Sequence, residues 1–194
     1  IVSLANEEVF IFHQEAFADR VELERALHHL KDHVKGFHPI EILSEDISLD
    51  NLVSSYLLNS QLITVKNNEM MMLLPEEVQN HPNCMRWLDE IKSSSPIKHL
   101  EFVDIRQSMM NGGGPACLRF KTVVNSDEFD QINKKFILSP EKLMNMRALV
   151  SKHFRDKLNP EDLLDIKLMQ ESFSFLDELT QLLELGCIYH FQKN

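Results

Sequence analysis

Two stretches decide how this chain folds: IVSLANEEVFIF, Ile1–Phe12, and LITVKNNEMMML, Leu62–Leu73. Each is an apolar segment, a short polar turn and a second apolar segment. The spacing predicts strands at Val2–Leu4 and Val9–Phe12 around Ala5-Asn6-Glu7-Glu8. It predicts a second pair at Leu62–Val65 and Met70–Leu74 around Lys66-Asn67-Asn68-Glu69. The segments after each pair also recur. Phe17–Val34 has helical periodicity, with Phe17, Val21, Leu23, Ala26, Leu27, Leu30 and Val34 on one broad face, and Gly36 ends it. PIEIL, Pro39–Leu43, then alternates as a strand, and Asp50 is placed to cap a short helix over Asn51–Leu58. In the second copy, Pro75-Glu76-Glu77 opens a helix in the manner of first-turn proline and acids. That helix runs to about Ile91 and is broken by Ser93-Ser94-Ser95-Pro96, and Leu100–Ile105 closes the copy. PIEIL and HLEFV correspond at nearly the same shift, about 60 residues. An internal strand–strand–helix–strand repeat results, with modules at 1–59 and 60–124, and the fold class is α/β.

Beyond the repeat, Leu118–Val124 is expected as one more strand, and the remainder reads as helical. Ser126 or Asp127 caps a short piece. Ser139-Pro140-Glu141 starts a helix over Glu141–Phe154. Asn159-Pro160-Glu161 starts a second stretch to Leu185, closed by Gly186. Residues 125–194 are thus a helical C-terminal segment.

Composition narrows the function classes. The formal net charge is −10, with acidic residues spread along the chain. A nucleic-acid surface needs a basic footprint and is not expected. No apolar run approaches the roughly 20 residues of a membrane helix. The three cysteines, Cys84, Cys117 and Cys187, include no CxxC pair, which argues against a disulfide framework or a structural zinc site. Reduced thiols in the cytoplasm fit better. The chain opens on Ile1 in a strand-like run, which we read as a start inside a larger protein.

The chemistry concentrates in RQSMMNGGGPACL, Arg106–Leu118. Gly112, Gly113 and Gly114 are three of the five glycines. Glycines let a backbone turn sharply and approach a ligand closely. A phosphate loop would carry GxxxxGK[ST], or GxGxxG leading into a helix, and neither is present. Cys117 therefore has two readings, a nucleophile or a buried thiol in a tight turn. A thiolate nucleophile needs a histidine and an orienting carboxylate. Of the nine histidines, His13 sits between a strand and a helix, as either an active-site group or a core histidine. His29 and His33 have ligand spacing without the glutamate of HExxH, so a solvated helix face is the expected reading. His81 and Cys84 flank Pro82 as a lone pair. Met70-Met71-Met72 and Met109-Met110 read as core filling.

RQSMMNGGGPACLR closely resembles the nucleophile loop of the N-succinylarginine dihydrolase family. FHQEAF (Phe12–Phe17), YLLNSQL (Tyr56–Leu62), LPEE (Leu74–Glu77) and LDELTQLLELGCIYHFQ (Leu176–Gln192) extend the resemblance over essentially all 194 residues. That family belongs to the guanidine-modifying enzymes of pentein fold, a propeller of five strand–strand–helix–strand modules. The resemblance implies that the repeat is two of those modules in a partial pentein-type α/β-propeller. Residues 1–194 would then be the C-terminal part of one catalytic domain.

The implied reaction converts N2-succinylarginine to N2-succinylornithine, two ammonia and carbon dioxide in arginine catabolism, with no metal and no organic cofactor. Cys117 matches the family nucleophile, and Asn111 matches a residue that holds the substrate. The family's catalytic histidine and glutamate correspond to positions before Ile1, as does a substrate-contacting acid beside that histidine. No histidine of this chain matches the catalytic one, so the chain is expected to be inactive alone. The parent protein is expected to be a cytoplasmic homodimer with a small-molecule substrate and no nucleic-acid or membrane partner. The rival readings are another pentein guanidine hydrolase or amidinotransferase, and a non-catalytic α/β binding module with Cys117 as an inert thiol.

Overall fold

A computed structural model describes residues 2–66, 68–110 and 122–193. The described residues form a mixed α/β structure with two three-stranded sheets and seven helices. They divide into two compact units, Ile1–Lys121 and Thr122–Asn194.

In the first unit, β1 (Ser3–Asn6), β2 (Val9–His13) and β3 (His38–Ile42) make one sheet. β1 and β2 pair antiparallel around a turn in which Glu7 takes a left-handed backbone at φ 48°. β2 and β3 pair parallel, with Ile11 opposite Ile40. A parallel pair needs a long crossover. Here it contains helix α1 (Arg20–His33), capped by Asp19, whose side chain accepts from the Glu22 backbone N–H. Val34 ends α1, and Gly36 follows at φ 81°, a conformation that a Cβ would strain.

The second sheet repeats the order. β4 (Gln61–Thr64) pairs antiparallel with β5 (Met70–Pro75), and β5 pairs parallel with β6 (Ile97–Val103). Between the sheets lies α2 (Leu49–Ser55), and between β5 and β6 lies α3 (Pro82–Ser94).

One apolar core serves both sheets. β2 contributes Val9 and Ile11, β5 contributes Met70, Met72 and Leu74, and all five are fully buried. Each such side chain contributes roughly 1.5–3 kcal/mol on burial. On α3, Cys84, Trp87, Leu88 and Ile91 follow the i, i+3, i+4, i+7 spacing of one helix face, and all are buried. Asn6 of β1 donates to Thr64 Oγ1 of β4 at 2.9 Å, a polar tie between the sheets.

The helical unit contains α5 (Ser126–Gln131), α6 (Pro140–His153) and α7 (Ile166–Leu182). Arg155 organises it, with Nε 2.7 Å from Glu171 and Nη2 2.9 Å from Asp165. Phe154 meets Phe175 edge-on at 4.9 Å. Lys142 turns its ammonium onto the carbonyls of Lys134, Lys135 and Ile137, at 2.7–3.1 Å.

Several expectations shift. The helix expected from Phe17 begins at Arg20, and Phe17 instead meets the Phe10 and Phe12 rings at 6.3 and 6.0 Å. Only Leu23 of the expected apolar face of α1 is buried, and Val21 is 58% exposed. Ser48, not Asp50, caps α2, because its hydroxyl accepts from the Asn51 N–H. Pro75 ends β5 opposite Val103 rather than opening a helix. A 3-10 turn over Glu76–Asn80 intervenes, and α3 opens with Pro82 in its first turn. Asn125, not Ser126 or Asp127, caps α5 in a capping box with Glu128. Of the strand expected over Leu118–Val124, residues 122–124 are irregular and the rest lies outside the described residues.

His13 takes its structural reading. It is fully buried at the end of β2. Its Nε2 is 2.9 Å from the Ile47 carbonyl, and its Nδ1 lies 3.2 Å from the Glu15 N–H. Nε2–H therefore donates while Nδ1 accepts, and the ring ties the strand end to the chain entering α2. Phenylalanine in its place would leave the Ile47 carbonyl without that donor. His13→Phe is expected to lower stability by about 1–3 kcal/mol. A urea midpoint equal to the wild type would contradict this role.

Candidate functional site

Asn111 and Cys117 lie outside the described residues. The described frame leading to them is the C-terminal edge of the parallel pair β5–β6. Parallel neighbours end at the same edge, so the chain leaves β5 and β6 side by side. From β5 it enters the turn carrying Glu76 and Glu77. From β6 it passes Asp104 into α4 (Arg106–Met110), directly before Asn111.

Asp104 and Arg106 form a clip at this edge. Asp104 Oδ1 accepts from the Arg106 backbone N–H and from its Nε, both at 3.0 Å, and Oδ2 accepts from Nη2 at 2.8 Å. The same Nη2 lies 3.4 Å from Glu76 Oε2. The fork spans two positions in sequence, and the Glu76 contact joins elements thirty residues apart. The Arg106 hydrogen bonds hold the Asp104 carboxyl at about 2, well below the ordinary 3.8. The same pairing raises the guanidinium of Arg106. Glu77 sits next to Glu76, half-buried, and its Oε2 is buried with no hydrogen-bond partner among the described residues.

The corresponding edge of the first sheet is also polar. Gln14 Oε1 accepts from the Ser44 N–H at 3.1 Å, Ser44 Oγ donates to Glu15 at 2.8 Å, and Arg20 forks onto Glu41. An open cleft of about 680 Å³ is lined there by Gln14, Glu15, Phe17, Arg20, Glu41 and Leu43.

The other residues singled out from sequence fall elsewhere. The His29 and His33 rings lie tilted at 32° with centroids 4.0 Å apart on the exposed face of α1, with His33 Nδ1 on the His29 carbonyl. Cys84 is buried against Ser55 Oγ at 3.5 Å, and burial pushes its thiol up, the opposite of what a nucleophile needs. Cys187 is exposed. Met70 and Met72 fill the core, as expected, whereas Met110 is 86% exposed. Among the described residues no group of three His, Cys, Asp or Glu side chains is arranged to hold a metal ion. None of their helices is long and apolar enough to cross a membrane. Sequence reasoning passed over Glu76, Glu77, Asp104 and Arg106 as site residues. The available signal was their position at two strand ends, masked by reading Glu76-Glu77 as a helix start.

The clip has a pH signature. The folded-state value of Asp104 lies below its ordinary one, so its stabilising contribution is complete above pH 3.8 and is lost as pH falls through about 2. A carboxyl NMR titration of Asp104 should give a midpoint near 2, returning toward 3.8 in Arg106→Gln. A wild-type midpoint already at 3.8 would show that the clip does not form in solution.

A family profile described as succinylarginine dihydrolase matches residues 1–192. Curated N-succinylarginine dihydrolases are similar along the whole chain. That of Pseudoalteromonas atlantica is 38% identical over 196 residues, covering all of this chain and 43% of that protein. Those of Erwinia tasmaniensis and Nitrosospira multiformis are 37% and 39% identical, again covering all of this chain and 43% and 44% of theirs. The chain therefore spans somewhat under half the length of these relatives. With a profile match over nearly every residue and relatives of this similarity, the chain belongs to the succinylarginine dihydrolase family.

Proposed function

We propose that the whole protein hydrolyses N2-succinylarginine to N2-succinylornithine, two ammonia and carbon dioxide, as a step of arginine catabolism. The observation that carries this is the family match over residues 1–192, which includes NGGGPAC, Asn111–Cys117. In this reading Cys117 is the nucleophile and Asn111 holds the substrate. The two sheets, with boundaries at 1–59 and 60–124, are two modules of a pentein-type propeller. Residues 125–194 complete the same catalytic domain. The whole protein acts as a cytoplasmic homodimer without metal or organic cofactor.

The chemistry follows from the substrate. A guanidinium carbon is a poor electrophile because its charge is delocalised. It reacts only with a strong nucleophile held at close range and with carboxylates around the cation. The Cys117 thiolate attacks that carbon, and the tetrahedral adduct breaks a C–N bond to expel ammonia, which takes up a proton from an acid–base histidine. Water then breaks the C–S bond, returns the thiolate and leaves a neutral ureido product. A second round on that product expels the second ammonia, and hydrolysis of the remaining S-linked carbamoyl group releases carbon dioxide and the ornithine amine. Two waters are consumed in all. The acid–base histidine is, by family resemblance, a residue outside positions 1–194, so this chain by itself is expected to be inactive.

The test is a stoichiometry. The whole protein should release two ammonia per succinylarginine, and Cys117→Ser should abolish turnover while leaving the melting temperature unchanged. One ammonia per substrate would instead indicate a deiminase, and unchanged turnover in Cys117→Ser would remove the nucleophile assignment.

A further inference from the structure

The internal repeat sets α1 and α3 side by side. Placing Val9 of β2 against Met70 of β5 places Leu23, Ala26, Leu27 and Leu30 against Cys84, Trp87, Leu88 and Ile91. Both quartets keep the i, i+3, i+4, i+7 spacing of one helix face. Their burial differs. On α3 all four are buried, none above 5% exposed. On α1 Leu23 is buried, Leu27 is half-buried, Ala26 is exposed and Leu30 is 36% exposed. The chain directly before β4 helps to cover α3. It consists of α2 and the 3-10 turn Leu57–Asn59, and Leu52, Leu57 and Leu58, each at most 1% exposed, join Cys84, Trp87, Leu88 and Ile91 in one core. Ser55 of α2 meets Cys84 at 3.5 Å. By the same repeat, the cover for α1 would come from chain directly before β1. Relatives have length for it, since this chain covers 43% of theirs.

We propose that in the whole protein the Ala26–Leu27–Leu30 face of α1 is a docking surface for the segment of the same polypeptide directly before β1. That segment takes the form of Leu49–Asn59, a short helix and turn presenting leucine-like side chains. The inference rests on reading the two sheets as modules of a longer chain, and it deepens that reading. Each module's crossover helix is clasped by the segment leading into its own first strand. The second module shows this contact already made within one chain, through α2 and α3. A contact made within the chain needs neither a second copy nor a foreign partner, and burial of the remaining leucine surface favours it.

The experiment uses the whole protein and two readouts. Ala26→Cys, a change small enough to keep the interface, is labelled with a maleimide beside Asp32→Cys, whose parent side chain is 61% exposed on the opposite side of α1. Peptide mass spectrometry reads each site. In the native protein Ala26→Cys should label about 10- to 100-fold more slowly than Asp32→Cys, and the two should label alike in urea. A benzophenone-bearing residue at position 26 then identifies the cover. The photoproduct should keep the mass of one chain and join position 26 to the peptide directly before Ile1. Equal native labelling at the two sites would show the face bare. A product of two-chain mass would place a second copy there, and a join to any other segment would name a different occupant. Each of these results overturns the inference. If the benzophenone at position 26 lowers the melting temperature, the same group at the larger Leu30 site carries the test. Neither readout involves turnover, so the inference and the dihydrolase reading stand or fall separately.

Discussion

Parallel pairing of β5 with β6 is the constraint on which the rest of the first unit depends. Parallel strands cannot be joined by a tight turn, so thirteen-residue α3 is carried back across the sheet. Its Trp87, Leu88 and Ile91 then close the core over Met70, Met72 and Leu74. The same pairing makes both strands end at one edge. Glu76 and Arg106, thirty residues apart, meet there only because Pro75 and Val103 stand opposite each other. The pairing of β2 with β3 imposes the same logic on the first sheet, where Gln14 and Ser44 meet at the equivalent edge.

This arrangement separates stability from chemistry. The apolar side chains Met70, Met72 and Leu74 of β5 are fully buried, while the polar groups gather beyond the strand ends. There the backbone is free of ladder hydrogen bonds, and side chains can be set by clips such as Asp104–Arg106. An exposed ion pair of this kind adds little to overall stability. Its value lies in fixing where α4 begins, five residues before Asn111. The proposed reaction would give that edge a chemical meaning, because hydrolysis of a guanidinium needs acidic groups around a delocalised cation.

Much of the fold was legible in the residues because its signals are local. The alternation of VFIF and MMMLL, the polar turns at Glu7 and Asn68, and the apolar periodicity of α3 all carry their own structure. The misreadings came where tertiary pairing overrode a local cue. Pro75-Glu76-Glu77 has the chemistry of a helix start, but opposite Val103 it continues a strand into a 3-10 turn. Phe17 fits the periodicity of α1, yet Asp19 offers a better cap and Phe17 joins the rings of β2. The proposed site was legible only through resemblance: NGGGPAC points to Cys117 and Asn111, and both lie outside the described residues. His13 could be assigned to the core only once Ile47 was seen beside it. The Glu76–Asp104–Arg106 grouping depends on strand register, which no single segment encodes.

The central claim is that the carbon of the substrate guanidinium passes through a covalent bond to Cys117. Acid quenching of the whole protein during turnover of succinylarginine labelled at that carbon, followed by peptide mass spectrometry, tests it directly. The account predicts label on the peptide containing Cys117 and on no other. Turnover with no labelled peptide, or with label on a different residue, would contradict it.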